Sequence, residues 1–243
     1  MKIVEIKNTN ISIDTKNVLE AINFDLKKGE MKFLIGKTGS GKTTFINSIF
    51  GNLIPSKSEI FKVLDYDINN LNNKEIPFLR RKIGFVFQDF KLLKDRSIYD
   101  NMKFVLEATG WKEKNIINNQ INKVFDLVGF TSSLEKFPSE LSGGEQQRVA
   151  IARSMLNEPE LIIADETTGN LDPETSSEII SLFQKLNKIG TSMIIATHDY
   201  NLILKRFSIV VVRLIKIKWE TSLFSYNVHK IRGLVLVLQG TMY

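Results

Sequence analysis

The octapeptide Gly36-Lys37-Thr38-Gly39-Ser40-Gly41-Lys42-Thr43 constrains this chain more than any other stretch. It follows an apolar run, MKFLI, that reads as a strand, and it precedes TTFINSIF, which carries a helical pattern. Glycines at 36, 39 and 41 let the backbone curl with its N–H groups turned inward, an arrangement that receives phosphate oxygens. The helix that follows brings its positive N-terminal end to the same point. Lys42 is placed to reach β- and γ-phosphates, and the Thr43 hydroxyl to ligate Mg²⁺, with Thr44 closing the candidate binding stretch. By itself the loop implies only a bound nucleotide.

The rest of the chain supplies a frame for such a loop. The first 35 residues read as strands (KIVEIK, VLEAINFDL, MKFLI), and strand-like runs recur at KIGFVF (82–87), LIIAD (161–165) and SMIIAT (192–197). The last two are unbroken apolar runs, as in strands buried on both faces of a parallel sheet. Between Ser97 and Leu156 the periodicity turns helical, and a further helix is expected from Glu174 to Lys188. The expected fold is α/β: a core sheet around the phosphate loop, an antiparallel N-terminal β subdomain, and a helical insertion over about 90–156.

Composition narrows the class. At 243 residues, 43% hydrophobic and 25% charged, the chain can bury a full core, which excludes a disordered or fibrous protein. It has no cysteine, which excludes disulfides and thiolate zinc sites, and only two histidines. The charged start MKIVEIKNTN is not a signal peptide, and no apolar run approaches the roughly 20 residues that span a bilayer. Residues 1–204 hold 26 basic and 26 acidic side chains, whereas 205–243 hold seven basic residues and only Glu220. The net charge of +6 therefore belongs to the end of the chain, and a nucleic-acid-binding face is not expected.

A second glycine pair carries more information than the first loop. In Leu141-Ser-Gly-Gly-Glu-Gln-Gln-Arg-Val-Ala-Ile-Ala-Arg153, Ser142 and Glu145 suit a capping box at a helix start. That leaves Gly143 and Gly144 unexplained, because glycines weaken a helix start unless something approaches the backbone closely. The stretch resembles the signature motif of ABC-type ATPases. The resemblance implies that Ser142, Gly143 and Gly144 form an anion nest facing the γ-phosphate held by a second copy, so that a homodimer sandwiches two ATP. It also implies roles elsewhere. Asp165 holds Mg²⁺ and Glu166 orients the attacking water at the end of LIIAD. Gln88 contacts metal and water and couples to a transport partner. Asp172, in Gly169-Asn-Leu-Asp172, crosses the dimer interface, and His198 reaches the γ-phosphate. The implied metal ligands are thus Thr43, Gln88 and Asp165, and the implied catalytic set is Glu166, His198 and Gln88. His229 is given no role.

Within that family, Phe87-Gln-Asp-Phe-Lys-Leu-Leu-Lys-Asp-Arg-Ser-Ile-Tyr-Asp-Asn-Met-Lys-Phe-Val-Leu-Glu-Ala-Thr-Gly110 looks like the corresponding stretch of the cell-division ATPases of the FtsE type. The resemblance covers about residues 1–204. It implies ATP and Mg²⁺ as ligands, a homodimer, docking through Gln88 to Met102 on a membrane protein resembling FtsX, and a peripheral place on the cytoplasmic side of the inner membrane. ATP cycling would then activate cell-wall hydrolases. Lipoprotein-release and macrolide-export ATPases share the catalytic motifs and form the alternative; a non-hydrolytic, ATP-gated scaffold is the second. Three positions depart from the pattern. Ser12 stands where an aromatic usually stacks on adenine, Thr167 stands where proline usually follows the catalytic glutamate, and residues 205–243 form a basic, atypical tail.

Overall fold

A computed structural model describes residues 1–14 and 16–199, together with the backbone of 210–213. It divides into two compact units. Apart from 210–213, the basic tail lies outside the described residues, and so does its boundary near residue 204.

The first unit joins residues 1–80 to the stretch that begins at Ser192. Two long strands, β1 (Lys2–Ile13) and β2 (Lys16–Lys27), pair antiparallel. The short strands β4 (Ile60–Val63) and β5 (Tyr66–Asp67) extend that sheet in the order β2-β1-β4-β5. Ile6, Ile11, Leu19, Ile22 and Leu26 of β1 and β2 enter the core, each at most 1% exposed, with irregularities in the pairing resetting the alternation between them. Burial of five such side chains contributes on the order of 10 kcal/mol before conformational entropy is subtracted. In the same unit β3 (Met31–Ile35) pairs in parallel with β8 (Ser192–Thr197) on one side and β9 (Val210–Arg213) on the other. Four of the five β3 residues, Lys32 among them, and all six of β8 are buried, as in strands covered on both faces. Helix α1 (Lys42–Ile49) follows β3 and packs Phe45 edge-on against Phe24, with ring centroids 5.1 Å apart. A second short helix, α2 (Ile76–Arg81), ends the unit's N-terminal stretch.

The second unit, residues 81–191, is built on a parallel strand pair and four helices. Strand β6 (Ile83–Val86) pairs with β7 (Leu161–Asp165). Between them run α3 (Ile98–Ala108), α4 (Lys114–Val128) and α5 (Gly143–Met155), and α6 (Pro173–Lys188) follows β7. Helices α3 and α4 each turn one apolar face inward, through Met102 and Leu106 and through Ile121 and Val124, whereas α5 is buried all round from Val149 to Ala152. Their ends are marked chemically. Ser97, Ser142 and Asp172 accept backbone N–H groups at the starts of α3, α5 and α6, and Gly129 in the left-handed conformation ends α4.

Candidate active site

The phosphate loop lies between β3 and α1, as its sequence requires. Gly39 and Gly41 have φ of 77° and 97°, and a Cβ on Gly41 would come within 2.7 Å of the Leu19 side chain. Glycine at 41 is therefore imposed twice, by backbone conformation and by close approach. The Lys42 side chain is only 4% exposed, and its ammonium donates to the carbonyls of Gly36 (2.8 Å) and Lys37 (3.3 Å), folding back across the loop. Ser40 Nα–H closes a turn on Lys37 O, and Ser40 Oγ is buried with no hydrogen-bond partner among the described residues. A buried hydroxyl in that state is one that a ligand oxygen would satisfy. Gly36, Lys37, Thr38, Gly39 and Ser40 thus form the curl, and Lys42, Thr43 and Thr44 begin the helix.

The parallel registers place the other candidates in pairs. In the first unit Ile35 of β3 lies beside Thr197 of β8, so Gly36 and exposed His198 leave neighbouring strands at the same end. In the second unit Val86 of β6 lies beside Ala164 of β7, so Gln88 and the Asp165-Glu166 doublet also emerge together. These are carboxyl ends of parallel strands, where α/β proteins hold their ligands. Glu166 has φ of 48°, an uncommon left-handed conformation for a residue other than glycine, and its carbonyl accepts from Gly169 N–H at 3.1 Å. Thr167, in the position usually held by proline, is 3% exposed, so burial and this turn hold the backbone there.

The signature stretch starts α5 with a complete capping box. Ser142 Oγ accepts from Glu145 N–H at 3.3 Å, and the Glu145 carboxylate accepts from Ser142 N–H at 2.9 Å. The Ser132 hydroxyl also donates to Glu145, and together with the Ser142 bonds it holds that carboxyl down to about 2. The two glycines have a cause that lies within the chain. A Cβ on Gly144 would stand 2.7 Å from Thr175 Cγ2, and one on Gly143 would stand 3.2 Å from Leu171. What approaches the backbone closely is the loop before α6 and its first turn. That loop ends at Asp172, which accepts from Glu174 N–H, Thr175 N–H and the Thr175 hydroxyl. Those bonds hold its carboxyl below the usual range. Arg148 joins the two helices through Glu178 at 2.8 Å. Between them lies a cleft of about 350 Å³ whose walls include Ser142, Gly143, Gly144, Asn170 and Asp172.

Sequence reasoning brought Ser142, Gly143, Gly144 and Asp172 forward one by one, but it missed Leu171, Thr175, Arg148 and Glu178, which hold them together. Thr175 stands three residues past Asp172, a spacing that a helix start would have flagged. A groove of about 460 Å³ opens elsewhere in the second unit, lined by Asp95, Arg96, Ser97, Asp100, Lys103, Phe104, Glu107, Glu135 and Phe137. The Arg96 guanidinium lies over the Phe104 ring at 4.6 Å. Only part of this lining falls within the expected docking stretch of Gln88 to Met102.

Among the described residues no cluster of three or more His, Cys, Asp or Glu could cage a metal. Thr43 in the first unit, and Gln88 and Asp165 in the second, each carry an oxygen donor of the kind that hard cations such as Mg²⁺ take.

The chain is similar to known proteins in sequence and in fold. Residues 19–169 match the family model described as ABC transporter. The chain is 45% identical over 185 residues to the cell division ATP-binding protein FtsE of Mycobacterium tuberculosis, covering 76% of this chain and 80% of that one. It is 44% identical over 191 residues to FtsE of Escherichia coli K12, covering 79% and 85%. Among solved structures, a dimeric post-hydrolysis ATP-binding cassette bound to ADP and Pi superposes with a TM-score of 0.76 at 30% identity, over 88% of this chain and 94% of that one. With a family match over more than half of its length and FtsE relatives at 44–45% identity, the chain belongs to the ABC transporter family, in its FtsE group.

Proposed function

We propose that the chain is the ATP-binding and ATP-hydrolysing subunit of a cell-division complex, working as a homodimer on a membrane protein resembling FtsX. The observation that carries the ATPase part is the phosphate loop, with the Lys42 ammonium drawn inside it and the Ser40 hydroxyl buried without a partner among the described residues. Lys42 binds the β- and γ-phosphates, and the N–H groups of residues 36 to 41 bind the oxygens around them. Glu166 holds the attacking water, while Gln88 and His198 fix its approach to the γ-phosphate. Ser142, Gly143, Gly144 and Asp172 act across the dimer on the nucleotide of the second copy. The described dimeric cassette, at 30% identity, supports that assembly. Mg²⁺, when bound, neutralises charge on the phosphate oxygens; Thr43, Gln88 and Asp165 are the residues to hold it.

No described helix is long and apolar enough to cross a membrane, and the proposed route to a membrane process is a bound membrane partner. The groove over Phe104 and Phe137 suits that partner, since exposed aromatic side chains stand there among Asp95, Arg96, Lys103 and Glu107. Docked in this way, the ATPase stands peripherally on the cytoplasmic face of the inner membrane and relays ATP cycling to cell-wall hydrolases. Co-expression with an FtsX-like protein tests the reading: the two should co-purify, and charge reversal at Arg96 should weaken the pair while sparing ATP binding. Depletion should leave septa incompletely cleaved. Normal division with lipoproteins trapped in the inner membrane would replace this reading with lipoprotein release.

A further inference from the structure

The connection from β6 to α3 contains two consecutive residues in a conformation that neither side chain favours. Phe90 and Lys91 have φ of 58° and 51°. Side chains other than glycine rarely adopt one such angle, and two in succession need an outside hold. The hold comes from α5. The Arg153 guanidinium donates through Nη2 to the Phe90 carbonyl at 2.6 Å and through Nη1 to the Lys91 carbonyl. A planar fork meets two adjacent carbonyls turned the same way, which a lysine ammonium cannot reproduce. Arg153 is half-buried, and burial lowers its guanidinium to about 10, so the group stays charged at neutral pH. The base of the fork is fixed. At the next residue, Ser154, the α5 carbonyl lies against Gly84 of β6 too closely to admit a Cβ.

Both ends of the clamped loop matter. Gln88 lies two residues before Phe90. On the other side, the buried Asn101 amide accepts from Leu93 N–H (2.8 Å) and donates to the carbonyls of Leu93 (3.0 Å) and Ser97 (2.9 Å), fixing the stretch that carries Asp95 and Arg96. The helix that bears Arg153 in its last turn begins at Ser142, Gly143 and Gly144.

We propose that Arg153 is a positioning residue: by forking onto Phe90 and Lys91 it ties the Gln88 loop and the groove rim to the helix that carries the signature nest. The proposal rests on the ATPase reading for its functional consequence, though not for its geometry. A partner pressing on Asp95 and Arg96 would then move Gln88 and the nest together rather than separately.

Arg153→Lys keeps the charge and removes the fork. Hydrogen exchange across residues 87–96 should accelerate about tenfold, with α4 unchanged. The kcat for ATP should fall about tenfold, with KM altered less than about twofold. Glycine adopts positive φ without help, so Lys91→Gly added to Arg153→Lys should recover much of both losses. Unchanged exchange in Arg153→Lys would contradict the clamp, as would acceleration spread over the whole 81–191 unit that Lys91→Gly leaves in place. Faster local exchange with unaltered kcat would contradict the positioning role. A wild-type protein that turns over no ATP overturns the ATPase reading instead, and the exchange measurements still decide whether Arg153 is the clamp.

Discussion

Ser12 shows how a single departure is absorbed. Its hydroxyl donates to Asn17 Oδ1 at 2.6 Å and lies 2.9 Å from Ser56 Oγ, so the residue is bound into the end of β1 and its neighbour on β2. It offers no ring to a base. Stacking on an aromatic contributes on the order of 1–3 kcal/mol per base. Ser12→Tyr should therefore tighten ATP binding by roughly tenfold, and the unaltered protein should hold ATP and GTP with similar affinity. A strong preference for ATP that Ser12→Tyr leaves untouched would show that another residue holds the base. At this scale the sequence was readable wherever chemistry demands one residue type at one spacing, as with Lys42 after Gly36 and Gly41. It was silent where a role depends on backbone conformation. Neither the left-handed Glu166 nor the Phe90-Lys91 pair leaves a compositional trace, because no glycine stands at those positions.

At the scale of elements, the starts of α5 and α6 form one packed joint. Gly144→Ala puts a methyl into Thr175 Cγ2, so it should impair ATP-driven dimerisation even though that methyl points into the chain itself. Thr175→Ser removes Cγ2 and keeps the hydroxyl that donates to Asp172. The double variant should regain most of the dimerisation lost by Gly144→Ala, measured by analytical ultracentrifugation with ATP. No recovery would mean that Gly144 is required by the nucleotide and not by α6. The capping box adds a pH dependence. Glu145 is held down to about 2 in the fold, below its ordinary 4.5, so its contribution is complete above that ordinary value and is lost as pH falls towards 2. Glu145→Gln should accordingly fray the first turn of α5 at neutral pH, as read by amide exchange, and the difference from wild type should vanish near pH 2. Helical periodicity made α3, α4 and α6 legible because each carries a single apolar face, and β7 and β8 were legible as apolar runs, whereas Lys32 interrupts that of β3. Strands β4 and β5 and helix α2 escaped notice: two to six residues are too few to establish a period. Gly143 and Gly144 were recognised as the mark of a close approach, but the approaching groups, Leu171 and Thr175, are distant in sequence and only folding brings them near.

For the whole molecule, the end of the chain poses the clearest question. Its composition changes abruptly after Lys205, and every matched motif precedes that point. Beyond it, however, Val210–Arg213 pairs in parallel with β3, the strand that leads into the phosphate loop. Truncation after Lys205 leaves that side of β3 without its ladder of hydrogen bonds. The shortened protein should unfold at lower temperature and lose ATP binding as a consequence. Intact ATPase activity with lost binding to anionic vesicles would instead assign the tail to the membrane surface. The proposed function gives Lys42 and Glu166 separate tasks on ATP, with a second copy completing the assembly. The most direct measurement is size-exclusion chromatography of Glu166→Gln with ATP and Mg²⁺, alongside Lys42→Ala. Glu166 matters when water attacks, whereas Lys42 holds ground-state phosphates. Glu166→Gln should elute as an ATP-bound dimer with its turnover lost, and Lys42→Ala should bind no ATP and stay monomeric. Wild-type turnover by Glu166→Gln, or a dimer that forms without Lys42, would contradict the account.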